Sequence, residues 1–211
     1  MKRSLHLLAA LPLLVAGASS AAIAQSAKET PGGYNPTGPN SAYHVTVLGN
    51  SEAAQCSDHA KLVADGKMSP AFAVETCTEA LQVEALSDHD LAATHVNRGV
   101  VRMGMADMMD DARADFDEAA KIQPGLGESY VNRGILLTEE KQYAAGLEDL
   151  NKAVELPLTE PWKAYYNRGV TEEALGDIQG AYRDYMKASE LKPDWAAPKT
   201  ELARFQVKKP G

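Results

Sequence analysis

The chain has 211 residues, a formal net charge of −8 and 45% hydrophobic residues. This length and composition are sufficient for one continuous hydrophobic core. An acidic chain without a basic stripe argues against binding to nucleic acid or adhesion to anionic lipid, because both rely on lysine and arginine. The charge changes from −8 to −10 if the two positive charges of Lys2 and Arg3 are removed with a leader peptide.

The first 24 residues have the pattern of a secretory signal. Lys2 and Arg3 form a basic start, residues 5–15 are mostly apolar, and Ala22-Ile23-Ala24 is a small-x-small cleavage site. We therefore predict a signal peptide over residues 1–24 and a soluble periplasmic or secreted protein without membrane insertion after cleavage. An uncleaved membrane anchor is the alternative, and the short apolar stretch argues against it.

Residues 25–50 differ in composition from the rest of the chain. Pro-Gly and Asn-Pro dipeptides predict a flexible or extended segment. The segment ends in the apolar, β-prone run Tyr43-His44-Val45-Thr46-Val47-Leu48. The sequence leaves open whether this run is ordered.

Residues 51–88 predict a first pair of helices. The first helix would run from about Ser51 to Ala64, and Ser69-Pro70 suits the start of the second helix. In this second helix, Ala73 and Ala80 are seven residues apart, which is two helical turns, so they share one face.

The two cysteines of the chain, Cys56 and Cys77, fall one on each of these helices. In an oxidising compartment this placement predicts a disulfide that ties the two helices together. A loop of this length is worth about 3 kcal/mol in the chain-entropy model. A redox-active pair is the alternative, but the cysteines lack the Cys-x-x-Cys spacing.

The tripeptide Asn-Arg-Gly recurs at a fixed period of 35 residues. Its copies are Asn97-Arg98-Gly99, Asn132-Arg133-Gly134 and Asn167-Arg168-Gly169. Such a period marks an array of stacked helical units. Downstream of each copy, two small residues seven positions apart flank an aspartate and a bulky residue: Asp115-Phe116, Asp149-Leu150 and Asp184-Tyr185. A proline then ends each second helix.

This pattern, over residues 90–195, resembles the tetratricopeptide repeat, a helix–turn–helix unit of about 34 residues. The resemblance predicts an all-α solenoid of paired antiparallel helices, with a C-terminal capping helix in which Asp194 caps a helix through about Val207. Residues 51–88 would be a degenerate repeat in which His59-Ala60-Lys61 replaces Asn-Arg-Gly. The predicted boundaries are 89–126, 127–161 and 162–194 for the three repeats and 195–211 for the capping helix and tail. Trp195, Leu202 and Phe205 would cover the end of the third repeat.

The arginine of each tripeptide precedes the repeat's aspartate by 16 or 17 residues. This recurrence predicts structural ion pairs between Arg98 and Asp115, Arg133 and Asp149, and Arg168 and Asp184. A row of arginines that grips an anionic ligand is the alternative, and it fails if the aspartates occupy the guanidinium groups.

By the same resemblance, the three asparagines would face a concave groove and hydrogen-bond the backbone of a bound peptide. Residues one and two turns further along would line the groove with them, and Lys163 would be its basic candidate. The predicted groove residues are Asn97, Val100, Met103, Asn132, Ile135, Thr138, Lys163, Asn167, Val170 and Glu173. The run at residues 43–48 could fold along the array or occupy this groove.

We find no nucleophile elbow, phosphate-binding glycine loop or Cys/His nucleophile pattern, so an enzyme is not predicted. The predicted function is a non-catalytic scaffold of the bacterial cell envelope that binds a protein or peptide, without cofactor or metal. One alternative is a self-associating structural module that docks through an array end or residues 25–50. Another is a copper-handling protein whose thioether ligands would be Met103, Met105, Met108 and Met109.

Overall fold

The computed structural model describes residues 52–83 and 85–205. The predicted leader, the segment at residues 25–50 and the end of the chain beyond Phe205 lie outside the described residues. The described part of the chain forms nine α-helices. They are α1 (Glu52–Ala64), α2 (Pro70–Val83), α3 (Asp88–Met103), α4 (Met109–Ile122), α5 (Gly127–Glu139), α6 (Tyr143–Val154), α7 (Pro161–Leu175), α8 (Ile178–Leu191) and α9 (Ala196–Arg204).

The helices pack as successive pairs. The pairs are α1–α2, α3–α4, α5–α6 and α7–α8, and the second helix of each pair packs against the first helix of the next. The first helices also contact one another in the order α1, α3, α5 and α7, while α9 packs against α8. The predicted all-α solenoid of helix pairs is therefore confirmed. Among the described helices, none combines the length and apolar character that crossing a membrane requires.

The glycine of each Asn-Arg-Gly lies in the contact between the two helices of its pair. A Cβ atom built on Gly99, Gly134 or Gly169 would come closer than 3.0 Å to the bulky residue of the same repeat. Those bulky residues are Phe116, Leu150 and Tyr185, and each of them is buried. The missing side chain therefore makes room for the bulky residue of the opposite helix.

The core changes in character along the array. Around α1 and α2 it consists of small residues, with Cys56, Ala60, Ala73 and Cys77 among them. The central core is mainly aliphatic with one phenylalanine and one tyrosine. The last repeat and α9 are packed around aromatic side chains: Tyr166, Tyr185 and Trp195, with Trp162, Tyr165 and Phe205 partly buried against them.

The first helix pair corresponds to the other repeats residue by residue, but this correspondence is shifted by one position from the predicted one. His59 Nδ1 lies 3.1 Å from Thr76 Oγ1, as Arg98 lies against Asp115 one unit later. Ala60, and not Lys61, therefore takes the place of the repeat glycine, and it is fully buried. The prediction that His59-Ala60-Lys61 replaces Asn-Arg-Gly is wrong by one position, because the turn after α1 carries one more residue than that alignment assumed.

The end of the array differs in detail from the prediction. Trp195 takes the N-cap position of α9 without a side-chain cap, and the helix ends at Arg204. Asp194 lies instead 3.2 Å from Lys192 Nζ, so its predicted role as a cap is wrong. Trp195 packs on Tyr166 at a ring-centroid distance of 4.9 Å, and Leu202 and Phe205 join the same cluster. Packing of large side chains, and not a polar cap, holds α9 in place.

Candidate polypeptide-binding surface

Each repeat arginine forms a forked ion pair with the aspartate of its own repeat. Arg133 Nε lies 2.7 Å from Asp149 Oδ2, and Arg133 Nη2 lies 2.7 Å from Asp149 Oδ1. Arg168 Nε lies 2.6 Å from Asp184 Oδ2 and its Nη2 lies 3.0 Å from Oδ1. Arg98 Nη2 lies 2.7 Å from Asp115 Oδ1, and its Nε donates to both oxygens. The fork fixes the first helix against the second.

The remaining guanidinium nitrogen of each arginine reaches back to the preceding unit. Arg98 Nη1 donates to Thr78 Oγ1 at 3.3 Å, Arg133 Nη1 to Asp117 Oδ1 at 2.6 Å and Arg168 Nη1 to Asn151 Oδ1 at 3.1 Å. These acceptors were not predicted from the sequence. The available signal was their position, since each directly follows the buried residue of its helix: Cys77, Phe116 and Leu150. We call the arginines, their aspartates and these three acceptors the arginine ridge.

Asp115 has more polar partners than any other aspartate of the arginine ridge. Besides Arg98, it accepts from Arg102 Nη1 at 2.6 Å and lies 2.9 Å from His95 Nδ1, while its side chain is 2% exposed. Burial alone would raise the pKa of this carboxyl. Hydrogen bonds from His95 and Arg98 and the charges of Arg98 and Arg102 outweigh burial and lower the pKa below its usual value.

The ridge does not offer its arginines to an anionic ligand. The hydrogen bonds that Arg133 donates to Asp149 raise the pKa of the guanidinium above its usual value, against the opposing effect of burial. The pKa of Arg168 is raised in the same way by Asp184. Because protein acceptors occupy the forks of the three repeat arginines, the alternative of a row of anion-gripping arginines is not supported.

The face of the first helices that lies opposite the arginines is called here the inner face. Helical geometry places the predicted groove residues on it or at its edges. Asn97 and Asn132 are fully buried, and Asn167 is 3% exposed. Val100, Met103 and Ile135 belong to the central core cluster. These side chains are therefore buried in this structure, and the prediction that they line a peptide-binding groove stays a prediction.

The other predicted groove residues have protein partners in the structure. Thr138 Oγ1 lies 2.8 Å from Thr171 Oγ1, which links α5 to α7. Lys163 lies 2.6 Å from Glu160 within its own helix turn. Glu173 pairs with Arg204 of α9 and accepts a hydrogen bond from Tyr185. Val170 is partly buried against the aromatic cluster of the last repeat.

The structure contains a disulfide between Cys56 and Cys77, with an S–S distance of 2.11 Å. It joins α1 to α2 inside the small-residue core. Two of the four methionines have a packing role, since Met103 is in the central cluster and Met109 packs against it. Across residues 52–83 and 85–205, no group of three or more His, Cys, Asp or Glu side chains could hold a metal ion.

A row of apolar side chains is exposed on α8. Ile178, Tyr182 and Met186 are 43%, 44% and 38% exposed and follow one another at four-residue spacing. In the preceding repeats, residues at the positions equivalent to Tyr182 and Met186 contact the next repeat. Arg113 pairs with Glu140, the C-cap residue of α5, and Asp117 pairs with Arg133. This apolar row is therefore the last repeat's version of an inter-repeat face.

Stacked helix pairs joined by a repeating arginine ridge define an α-solenoid built from helical hairpins. Known proteins support the same conclusion. A family model described as tetratricopeptide repeat matches residues 127–159 and 163–194. Residues 127–159 and 163–194 are thus identified as tetratricopeptide repeats, units whose arrays serve as protein-interaction modules.

Similarity to individual proteins covers the repeats. Mouse serine/threonine-protein phosphatase 5 is 32% identical over 79 residues, which are 37% of this chain and 16% of the phosphatase. Human peptidyl-prolyl cis-trans isomerase FKBP4 is 32% identical over 90 residues, which are 43% of this chain and 19% of the isomerase. The chain thus spans less than a fifth of the length of these relatives.

Two solved structures illustrate the fold. MamA from Desulfovibrio magneticus RS-1 has a TM-score of 0.51 at 19% identity, covering 77% of this chain and 100% of MamA. The first TPR domain of the human RPAP3 protein has a TM-score of 0.52 at 25% identity, covering 56% of this chain and 91% of that domain. At this identity the likeness to MamA concerns the fold alone.

Proposed function

We propose that this protein is an exported, non-catalytic scaffold that binds an extended polypeptide against its inner face. The observation that carries the proposal is the chemistry of that face. Amide groups of Asn97 and Asn132 recur at the repeat spacing beside the apolar Val100 and Ile135. A polypeptide needs hydrogen-bonding groups for its backbone and apolar contacts for its side chains, and this face supplies both.

The arginine ridge supports the proposal from the opposite side of the first helices. Its charges are paired within the protein, so it contributes order between repeats and leaves recognition to other surfaces. The net charge of −8 also disfavours nucleic acid as the partner. A protein partner fits both features.

The test is site-specific photo-crosslinking in cells. A photoreactive amino acid replaces Val170, which is partly buried on the inner face, and a control replaces Arg183, which is exposed on α8. We expect the probe at position 170 to capture a partner protein that the probe at position 183 does not capture. Equal capture at both positions would refute binding at the inner face.

A matched pair of variants sharpens this test. The first is Val170→Asp, which places a charge on the inner face. The second is Asp117→Ala combined with Asn151→Ala, which removes two acceptors of the ridge. With both proteins folded by circular dichroism, the first should lose the captured partner and the second should retain it. Retention by a folded Val170→Asp protein would contradict the proposal.

Export is the second part of the proposal, and it rests on the leader pattern at residues 1–24. We expect mass spectrometry of the protein from a cell-envelope fraction to give an N-terminus at Gln25. The protein should also carry the disulfide, which an oxidising compartment preserves. An intact leader on cytosolic protein with reduced cysteines would refute export.

A second candidate function is self-association through the exposed apolar row on α8. It is supported by the equivalence of this row with the faces through which repeat 1 contacts repeat 2 and repeat 2 contacts repeat 3. Size-exclusion chromatography with light scattering tests it. Concentration-dependent dimers that disappear in Ile178→Glu/Met186→Glu would support self-association, whereas a monomer at all concentrations would exclude it.

A further inference from the structure

Helix α9 corresponds to the first helix of a further repeat. It begins three residues after Pro193, as α5 begins three residues after Pro124, and it packs against the preceding second helix, α8. Helix α5 continues for five residues beyond Gly134, whereas α9 ends one residue beyond the equivalent Ala203. In the described part of the chain, no second helix follows α9. The described array therefore ends in half a repeat.

In the complete repeat formed by α5 and α6, three positions of the first helix hold the second helix. One accepts a hydrogen bond from a lysine, the next forms the forked ion pair, and the third is the glycine that contacts a bulky residue. These contacts are Tyr130 with Lys152, Arg133 with Asp149, and Gly134 with Leu150. A helix beside α9 would meet the three equivalent positions.

At these positions α9 carries Lys199, Leu202 and Ala203. Together with Tyr182 and Phe205 they line a groove of about 310 Å³, which is called here the α9 groove. Tyr182 is 44% exposed, and Lys199 and Ala203 are exposed as well. By contrast, the tyrosine and the glycine at the corresponding positions of α5 are buried.

We propose that the α9 groove binds an amphipathic α-helix of another protein, which takes the place of the second helix of a fourth repeat. A bulky apolar side chain of this partner packs on Ala203, as Leu150 packs on Gly134 in the second repeat. The bound helix continues the type of interface that already joins the two helices of each repeat. Because Leu202 takes the arginine position, the α9 groove lies on the opposite side of the first helices from the inner face and is a separate binding surface.

Two residues of α9 define the chemistry of the partner helix. Leu202 takes the arginine position, so the partner needs an apolar residue where the repeats carry their aspartate, because a carboxylate buried against leucine would lack a partner. Lys199 takes the position at which Tyr130 meets Lys152 in the second repeat. Two lysines would repel each other there, so the partner needs a carboxylate. The partner motif is a small residue, two adjacent bulky apolar residues and a carboxylate, at the spacing of Gly146, Asp149, Leu150 and Lys152.

Two stapled peptides test this selectivity on the unmodified full chain. Both have the sequence of residues 142–155, with a hydrocarbon staple between positions 144 and 148, which are exposed in α6. One peptide carries Asp149→Leu and Lys152→Glu, and the other keeps both original residues. By fluorescence anisotropy, we expect the substituted peptide to bind at least about tenfold more tightly. Equal affinity, or no binding of the substituted peptide, overturns the proposal.

A charge exchange locates the bound peptide. In Lys199→Glu, the doubly substituted peptide should bind about tenfold more weakly than to the unmodified chain. A peptide with Asp149→Leu alone keeps Lys152, and it should bind more tightly to Lys199→Glu than to the unmodified chain. A change in the same direction for both peptides would place them elsewhere on the protein and overturn the proposal.

A steric variant tests the contact with Ala203. Ala203→Leu fills the position of the partner's bulky residue and should weaken binding of the doubly substituted peptide at least about tenfold. Ala145→Leu, at an exposed position of α6, is the matched control and should bind as the unmodified chain does. Circular dichroism checks that both variants fold, and the charge exchange at Lys199 provides the test if Ala203→Leu does not. Equal binding by folded Ala203→Leu and Ala145→Leu overturns the proposal.

Two other occupants of the α9 groove give different results. A dimer in light scattering that dissociates in Ala203→Leu would assign the groove to a second copy of the chain. Peptide binding that appears only after deletion of residues 206–211 would assign it to the chain's own C-terminal residues. Either result overturns the proposal.

Discussion

The helix pair α1–α2 packs around Cys56, Ala60, Ala73 and Cys77, whereas α7–α8 packs around aromatic side chains that include Tyr185. Small side chains remove little apolar surface from water, while each buried aromatic removes about 150–250 Å². The disulfide lies in the pair with the smallest core. A covalent bond thus compensates where burial is poor, and burial suffices where the side chains are large.

The polar contact between the two helices is also weaker in α1–α2 than in α7–α8. In α1–α2 the position of the repeat ion pair is held by His59 and Thr76, whose ring nitrogen and hydroxyl lie 3.1 Å apart. In α7–α8 it is held by the forked pair of Arg168 and Asp184. A forked, charge-assisted pair is stronger than a single hydrogen bond. The first unit therefore depends more on its disulfide.

Removing the disulfide should have the largest effect. In Cys56→Ala/Cys77→Ala we expect the free energy of unfolding of the α1–α2 unit to fall by about 3 kcal/mol, because the unfolded chain is no longer constrained. Hydrogen exchange should show α1 and α2 opening first, with α7 and α8 unchanged. Reduction of the unmodified protein serves as the control. Equal loss of protection at both ends would contradict the comparison.

The next effect concerns the charged clusters. Asp115→Ala should destabilise the protein by about 3 kcal/mol, because it leaves Arg98 and Arg102 without their buried counter-charge. Asp184→Ala removes the partner of one arginine and should cost less, about 2 kcal/mol. Urea unfolding measures both. A larger loss for Asp184→Ala would show that the number of cationic partners does not set the cost.

The Asp115 contribution should also depend on pH. Its pKa is lowered in the folded protein, so its stabilisation is fully present above the unfolded value of 3.8. It is lost as the pH falls through the lower folded pKa. Asp115→Asn should therefore reduce the acid-induced loss of stability that the unmodified protein shows.

Glycine substitutions compare the helix contacts of the first and the last Asn-Arg-Gly repeat. Gly99→Ala should destabilise more than Gly169→Ala, because a Cβ at Gly99 overlaps the Phe116 ring more deeply than one at Gly169 overlaps the Tyr185 ring. We expect losses of about 2 and about 1 kcal/mol, after the gain in helix propensity is included. Thermal unfolding provides the measurement. Gly125→Ala is the control, since no atom of residues 52–83 or 85–205 lies within 4 Å of its added Cβ.

The smallest expected effect is a stabilisation at the C-terminal end. Burial, followed by the charge of Asp184, raises the pKa of Glu172 to about 7, and its Oε2 atom has no hydrogen-bond partner among the described residues. The folded protein therefore favours the protonated carboxyl, and stability from this group is lost as the pH rises from 4.5 through about 7. Glu172→Gln should stabilise by on the order of 1 kcal/mol at pH 8, after allowance for solvent screening.

This pH dependence is checked by thermal unfolding of Glu172→Gln and the unmodified protein at pH 5 and pH 8. The difference between the two proteins should grow with pH. A constant difference would show that the carboxyl is solvated in the folded state. Glu190→Gln, at an exposed position of α8, is the matched control.

Features that depend on spacing along the chain could be predicted, and those that depend on packing between units could not. The 35-residue period and the seven-residue spacing of small residues predicted helix pairs, because helix faces repeat every 3.6 residues. The acceptors Thr78, Asp117 and Asn151 were missed because they bond with the following unit. Their position after a buried residue becomes meaningful only when the units are stacked.

The asparagines show most clearly which features the sequence predicts and which depend on tertiary packing. Their recurrence placed Asn97, Asn132 and Asn167 on one face of successive first helices, and a helical wheel suffices for that. Whether such a face is open depends on what the rest of the chain packs against it, and in the structure these three side chains are buried. Sequence period alone thus determined the all-α repeat fold and the pairing of glycine with a bulky residue. The register of α1–α2, the inter-repeat bonds and the burial of the inner face were decided by tertiary contacts, because burial belongs to the assembled chain and not to any one segment.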